Sequence, residues 1–271
     1  MVLLRERVAK ENDIIIFSPS VSDKSDDYNA TWLDILFEAE DTHFWFLVRK
    51  EKILSVFNRY IDPTGNIIEI GAGTGNVAHF LFQAGYNISV GEMHVHGLRY
   101  AQKYGVRECY QFDLFDPPFD HHFDCICMFD VLEHLDNDLS ALQSCFSMLK
   151  TGGRIVLTVP AFNCLWSRYD AYGHKRRYTM KGLTQVVEKA DFSILHGSYF
   201  FTAILPILIL RHFMEPDDGS AILKDELGYK EIRINPFFNK LFLWLCRLEN
   251  KIDRWASMVP GGSIILVAEK R

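Results

Sequence analysis

"IIEIGAGTGNVAHFL", residues 67–81, runs from an apolar stretch into three glycines within five positions and on into a helical pattern. Glycine tolerates positive φ and carries no Cβ, so a ligand can lie directly against the main chain. The amides that open the following helix present the positive end of its dipole. A glycine cluster can also be an ordinary turn. The residues on either side decide between the two readings.

Working outward, strands are predicted at 67–70, 88–92, 110–112, 123–129 and 154–159, with helices at 76–84, 94–104 and 136–149 between them. "KTGG", 150–153, reads as the turn into the fifth strand. Continuous apolar strands separated by amphipathic helices predict a parallel sheet covered on both faces. A helix at 179–189 and strands at 192–200 and 263–270 follow. The expectation is a Rossmann-like, doubly wound α/β fold with a seven-stranded sheet and an antiparallel last strand. Four segments are expected: an N-terminal extension and helical lid (1–62), the core (63–200), an apolar helical insertion (201–259) and the final strand (260–271).

Two acids stand beside the glycine loop. Glu92 ends the second strand about 20 residues on, where a carboxylate can accept hydrogen bonds from both hydroxyls of a ribose. Asp113 follows the third strand in "YQFDLF". Each acid taken singly reads as a solvated strand end. Together with the loop they mark a crevice outside the carboxyl ends of the strands, where such sheets bind ligands. The register Gly71-Ala72-Gly73-Thr74-Gly75-Asn76 departs from the dinucleotide pattern G-x-G-x-x-G, since the third glycine comes one position early.

That register, with Glu69 in first place, resembles motif I (E-x-G-x-G-x-G) of class I S-adenosylmethionine-dependent methyltransferases. "FDVLEHLDN" (129–137) resembles that family's segment beside the methyl group, and "LKTGGRIVLTVP" (149–160) its strand-five motif, with Thr151 in place of a proline. The resemblance spans residues 43–200 and the closing strand. It implies S-adenosylmethionine as cofactor and S-adenosylhomocysteine as product. The cofactor-binding residues it implies are Glu69, Gly71, Ala72, Gly73, Gly75, Glu92, Met93, Asp113, Leu114, Phe129, Asp130 and Val131. In relatives a helix like "HFWFLVR" lies over the cofactor, which adds Trp45 and Arg49; an amphipathic helix packed on the sheet is the alternative.

Methyl transfer from a sulfonium needs alignment and dehydration of the acceptor, and only sometimes a base. His134 and His174 are the catalytic candidates, each with a purely structural hydrogen bond as the alternative. Arg176, Arg177 and Tyr178 are candidates for substrate binding; the two arginines could clamp a carboxylate or phosphate or pair on the surface. No metal is the primary expectation. The alternative is a site of Asp130, Glu133, His134 and His174, which resembles the metal quartet of small-RNA 2′-O-methyltransferases with Asp130 replacing a glutamate.

Composition bounds the rest. The net charge of -6 argues against nucleic acid as a partner. Six cysteines without a CxxC pair indicate neither a zinc ribbon nor a redox motif, and read as buried free thiols. The charged N-terminus is not a secretory signal, and the apolar stretch 199–210 is too short for a bilayer. A cytoplasmic protein is expected. The insertion, with its apolar stripe and its basic residues Lys240, Arg247, Lys251 and Arg254, reads as a second core layer, a homodimer surface or a peripheral contact with the inner face of a membrane. The expected acceptor is a small or lipid-linked molecule, methylated on oxygen. The alternatives are a non-catalytic protein that binds the same cofactor, and an NAD(P)-dependent oxidoreductase.

Overall fold

A computed structural model describes residues 9–18, 30–167, 170, 173–214, 234–252 and 259–271. Of the basic residues named in the insertion, Arg254 falls outside these residues.

The central element is β3 (Ile67–Ile70), buried at every position. It pairs in parallel with β4 (Ile88–Glu92) on one side and β6 (Phe123–Phe129) on the other. β5 (Cys109–Gln111) extends the sheet beyond β4, and β7 (Leu149–Pro160) lies beyond β6. β9 (Ser263–Lys270) inserts antiparallel between β7 and β8 (Phe192–Phe200). These seven strands have the expected arrangement. The sheet itself has nine, which corrects the predicted count. A hairpin of β1 (Ala9–Glu11) and β2 (Ile14–Ile16) adds to the edge through parallel pairing of Ile14 with Cys109. Gln111 locks the join, since its side chain accepts from the Ser18 amide at 3.1 Å and donates to the Ser18 carbonyl at 3.0 Å.

Alternation along the strands fills two cores. Cys125, Cys127 and Phe129 of β6 face one side of the sheet, and Ile126 and Met128 the other. The first side is covered by α2 (Phe44–Tyr60), α3 (Asn76–Gln83) and α4 (Val95–Lys103), through Ile53, Phe57, Leu81 and Leu98. The second is covered by α5 (Asp138–Met148) and α6 (Met180–Lys189), through Leu142, Cys145, Leu183 and Val187. Burial on both faces explains why the strands read as unbroken apolar runs. Five of the six cysteines are buried thiols as expected; Cys164 is exposed.

Helix starts follow local chemistry. Asn137 caps α5 by accepting from the Ser140 amide at 2.9 Å, so the helix begins at Asp138 and not at 136. The preceding residues Leu132–His134 form a short 3-10 turn. Thr179 caps α6 through the Gly182 amide in the same way. The third strand sits one residue earlier than predicted because Gln111 pairs opposite Glu92, which leaves Phe112 as its exit.

The insertion supplies α7 (Leu205–Met214) and α8 (Pro236–Ile252). One face of α8 packs on α2. Asn239 accepts from the Phe44 amide at 2.8 Å and donates to the Thr42 carbonyl at 2.9 Å, and Arg247 grips Glu51 at 2.6 Å. Cys246 of α8 is buried in the first core. The other face is exposed at Phe237 (69%) and Trp244 (61%), as is Phe213 of α7 (75%). Among the described residues, no helix is long and apolar enough to cross a membrane.

Candidate active site

The chain leaves β3 through three left-handed glycines, at φ 69° (Gly71), 55° (Gly73) and 76° (Gly75). They do different work. A Cβ on Gly71 would meet Val131 at 2.6 Å, and one on Gly75 would meet Ala101 at 2.5 Å, so both are packing glycines. At Gly73 the nearest atom is Leu33 Cδ2, 3.8 Å away. Gly73 is therefore where the bare backbone faces open space, beneath α1 (Ala30–Ala39).

Glu92 is joined to this loop. Its Oε2 accepts from the Gly73 amide at 3.1 Å and its Oε1 from the Met93 amide at 2.7 Å. Burial raises its pKa, although the two amides oppose that shift. Asp113 sits one strand further out. Its Oδ1 accepts from the Phe115 amide at 2.9 Å, a turn that fixes the carboxylate just before Leu114 and Phe115. Ser18 Oγ accepts from the Asp113 amide at 3.4 Å, so the N-terminal hairpin reaches the site. Periodicity held no signal for this, because β2 joins β5 across more than 90 residues.

Beneath the loop lies a knot of acids around one guanidinium. Glu69 is buried, its Oε2 has no hydrogen-bond partner, and burial pushes its carboxyl up to about 8. Glu40 accepts from Thr74 Oγ1 at 2.5 Å, and burial pushes it up to about 7. Arg49, from α2, lies against this group: its Nε is 2.9 Å from Asp130 Oδ2, and its Nη2 donates to the Phe129 carbonyl at 3.0 Å. The Nε contact is an ion pair without hydrogen-bond alignment. Asp130 also accepts from Thr158 Oγ1 at 3.1 Å and holds a positive φ of 57° at the end of β6. Arg49 is thus placed at the crevice. Trp45 stacks on Phe201 at 4.0 Å, toward the insertion.

The two histidines converge. Their rings meet edge to face with centroids 4.6 Å apart. Gly173 makes this approach feasible, since a Cβ there would lie 3.1 Å from His134 Nδ1. His174 Nδ1 bonds Asp170 Oδ1 at 2.7 Å, and Asp170 is 1% exposed. Arg177 grips both oxygens of Asp170 at 2.7 and 2.9 Å, and Ser167 Oγ adds a bond at 2.9 Å. These donors hold the Asp170 carboxyl well below the usual range despite its burial. Arg176 pairs with Asp138 at 3.0 Å, and the Tyr178 hydroxyl donates to the same carboxylate at 3.0 Å. The structure therefore engages Arg176, Arg177 and Tyr178 within the chain. Asp170, absent from the sequence-based candidates, is the residue that orients His174.

A parallel sheet with a glycine turn at one strand end, acids at the next two and an acidic crevice below defines a Rossmann-like domain that binds a nucleoside-bearing cofactor. The methyltransferase domain model matches residues 42–197, more than half of the chain. The chain belongs to the methyltransferase domain family.

No curated protein matches the sequence. Solved structures share the fold. A SAM-dependent methyltransferase from Thermotoga maritima is 17% identical with a TM-score of 0.54, over 88% of this chain and 94% of that one. Phosphoethanolamine N-methyltransferase 2 from Haemonchus contortus, in complex with S-adenosyl-L-methionine, is 16% identical with a TM-score of 0.53, over 81% of this chain and 52% of that one. The [4+2]-cyclase SpnF is 18% identical with a TM-score of 0.54, over 82% and 80%. The fold is that of S-adenosylmethionine-dependent methyltransferases, and the family sets aside the oxidoreductase alternative.

The residues present fit that cofactor. Gly73 leaves room at the backbone, Glu69 holds an orphaned buried oxygen, and several acids share a single arginine, which favours a cationic ligand.

Proposed function

We propose that the protein transfers a methyl group from S-adenosylmethionine to an oxygen of a small or lipid-linked acceptor. When bound, this cofactor supplies a methyl group on a positively charged sulfur. The loop at Gly71, Ala72, Gly73 and Gly75 cradles it, Glu92 and Met93 serve the ribose end, and Asp113 and Leu114 serve the base. Glu69, Arg49, Phe129, Asp130 and Val131 line the amino-acid end. The bond from Glu92 to the Gly73 amide carries this reading, because it makes the acid and the open backbone one binding surface.

His134 and His174 attend the acceptor oxygen. Methyl transfer rests mostly on alignment and exclusion of water, and the bond to Asp170 gives the His174 ring a fixed heading. The lipid-linked form of the acceptor is supported by exposed aromatic side chains on α7 and α8 beside Lys240 and Lys251, a pattern suited to an anionic bilayer surface.

Calorimetry with S-adenosylhomocysteine tests the cofactor assignment, with NADH as the control. Binding of S-adenosylhomocysteine alone is expected; binding of NADH alone overturns the proposal. Tight binding with no methylated product across hydroxyl-bearing acceptors would leave a non-catalytic binding protein.

A further inference from the structure

Glu133 is 0% exposed, and neither of its carboxylate oxygens has an aligned hydrogen-bond donor. An uncompensated buried carboxylate is costly, on the order of several kcal/mol. Two imidazoles lie close to it, within the field of Asp130, Arg49 and Arg177. His174 Nε2 stands 3.9 Å from Glu133 Oε1. One ligand atom each from Glu133, His134 and His174 lies within 4.8 Å of the others. Two ligands on one tetrahedral ion sit about 3.3 Å apart, so small rotations close the set.

Asp170 prepares one ligand in advance. It already accepts from Arg177 and Ser167, so it acts as an acceptor toward His174 Nδ1 and places the ring proton there. Nε2 then carries the lone pair, 3.9 Å from Glu133 Oε1. A carboxylate that fixes a histidine in this way is the usual outer support of a metal ligand. Asp130 is outside the set, because Arg49 and Thr158 engage its two oxygens.

We infer that Glu133, His134 and His174 bind a first-row divalent cation of the zinc, manganese or cobalt type. Two imidazoles and a carboxylate suit those ions and leave coordination positions open. The use of those positions, to hold an oxygen of the acceptor, rests on the methyl-transfer reading. The ion site does not.

The full chain, stripped with a chelator, is titrated with Co2+ followed by visible absorption and with Zn2+ followed by calorimetry. One ion per chain is expected. Glu133→Gln, His174→Asn and the exposed His134→Ala should each weaken binding by at least about tenfold, with Glu188→Gln on α6 as an unaffected control. Circular dichroism confirms that each variant is folded. Failure of the folded wild-type chain to bind either ion, or affinity indifferent to all three substitutions, overturns the site. S-adenosylhomocysteine binding is read on the same samples. Its loss in the wild-type chain with the ion bound would sink the methyl-transfer reading alone, and the converse would sink the cation site alone.

Discussion

The Glu92 carboxylate accepts the Gly73 amide at 3.1 Å, which couples the end of β4 to the one glycine of the loop that faces open space. Hydrogen bonds to a charged group contribute about 1.5–3 kcal/mol each. Glu92→Ala should weaken S-adenosylhomocysteine binding by about ten- to a hundredfold, read by calorimetry, with Glu92→Gln intermediate. Unchanged affinity in a folded Glu92→Ala protein would remove this acid from the site.

The glycines should separate by phenotype. Gly71→Ala drives a methyl group into Val131 and should lower Tm, with partial recovery in Gly71→Ala/Val131→Ala. Gly73→Ala has room in the folded chain but keeps a left-handed backbone, at a cost of about 1–2 kcal/mol. It should lose cofactor affinity by more than that strain explains. Equal Tm losses and equal affinity losses in the two variants would contradict the division of labour.

Stability should fall as pH rises through neutrality. Glu69 and Glu40 are pushed up to about 8 and about 7 from ordinary values near 4.5. The folded chain therefore binds more protons than the unfolded chain between those limits, so unfolding free energy decreases with increasing pH there. Below pH 4.5 the acids are protonated in both states and this contribution is fully present. Glu69→Gln should flatten the slope of Tm between pH 5 and pH 8, at about 2–4 °C per kcal/mol recovered. A wild-type slope of opposite sign that Glu69→Gln leaves unchanged would refute the burial argument.

Arg49 compensates several acids at once. Arg49→Met should cost about 1–2 kcal/mol, less than breaking a fully buried pair, because Asp130 loses its partner while both side chains keep some contact with water. Asp130→Asn added to Arg49→Met should restore part of that loss. Additive losses in the double-mutant cycle would show the pair to be uncoupled.

Contact with a bilayer has its own test. Phe213→Ser with Trp244→Ser should abolish sedimentation with anionic vesicles while Tm stays within a few degrees, since both side chains are largely exposed. A wild-type chain indifferent to vesicles of any charge would end the lipid-linked reading.

The core of the fold was legible because its signals are local. The run from Ile67 into Gly71, the acid at 92 and the apolar strand 123–129 each stand within a short window. What escaped the sequence was partnership at long range. Asn239 completes the start of α2 from 195 residues away. The apolar run "DIIIF", residues 13–17, holds the strand Ile14–Ile16, but no local pattern in it points to its pairing with Cys109. Arg177 read as a clamp for substrate, and its own chain supplies the carboxylate at Asp170. No periodicity encodes which acid a given arginine meets once the loops have folded.

The close approach of Gly97 to the loop limits how a ligand can come and go. A side chain at 97 would strike the Gly73 carbonyl at 2.6 Å, so α4 rests directly on the turn and bars traffic from that flank. The segment over the turn is tied to that same helix by the Tyr100–Asp34 bond, the His96–Asp34 pair and the packing of Phe37 on Tyr100 and Tyr104, and to the loop by Thr74–Glu40. Traffic past this segment would have to break that whole set of contacts together, with the sheet left at rest.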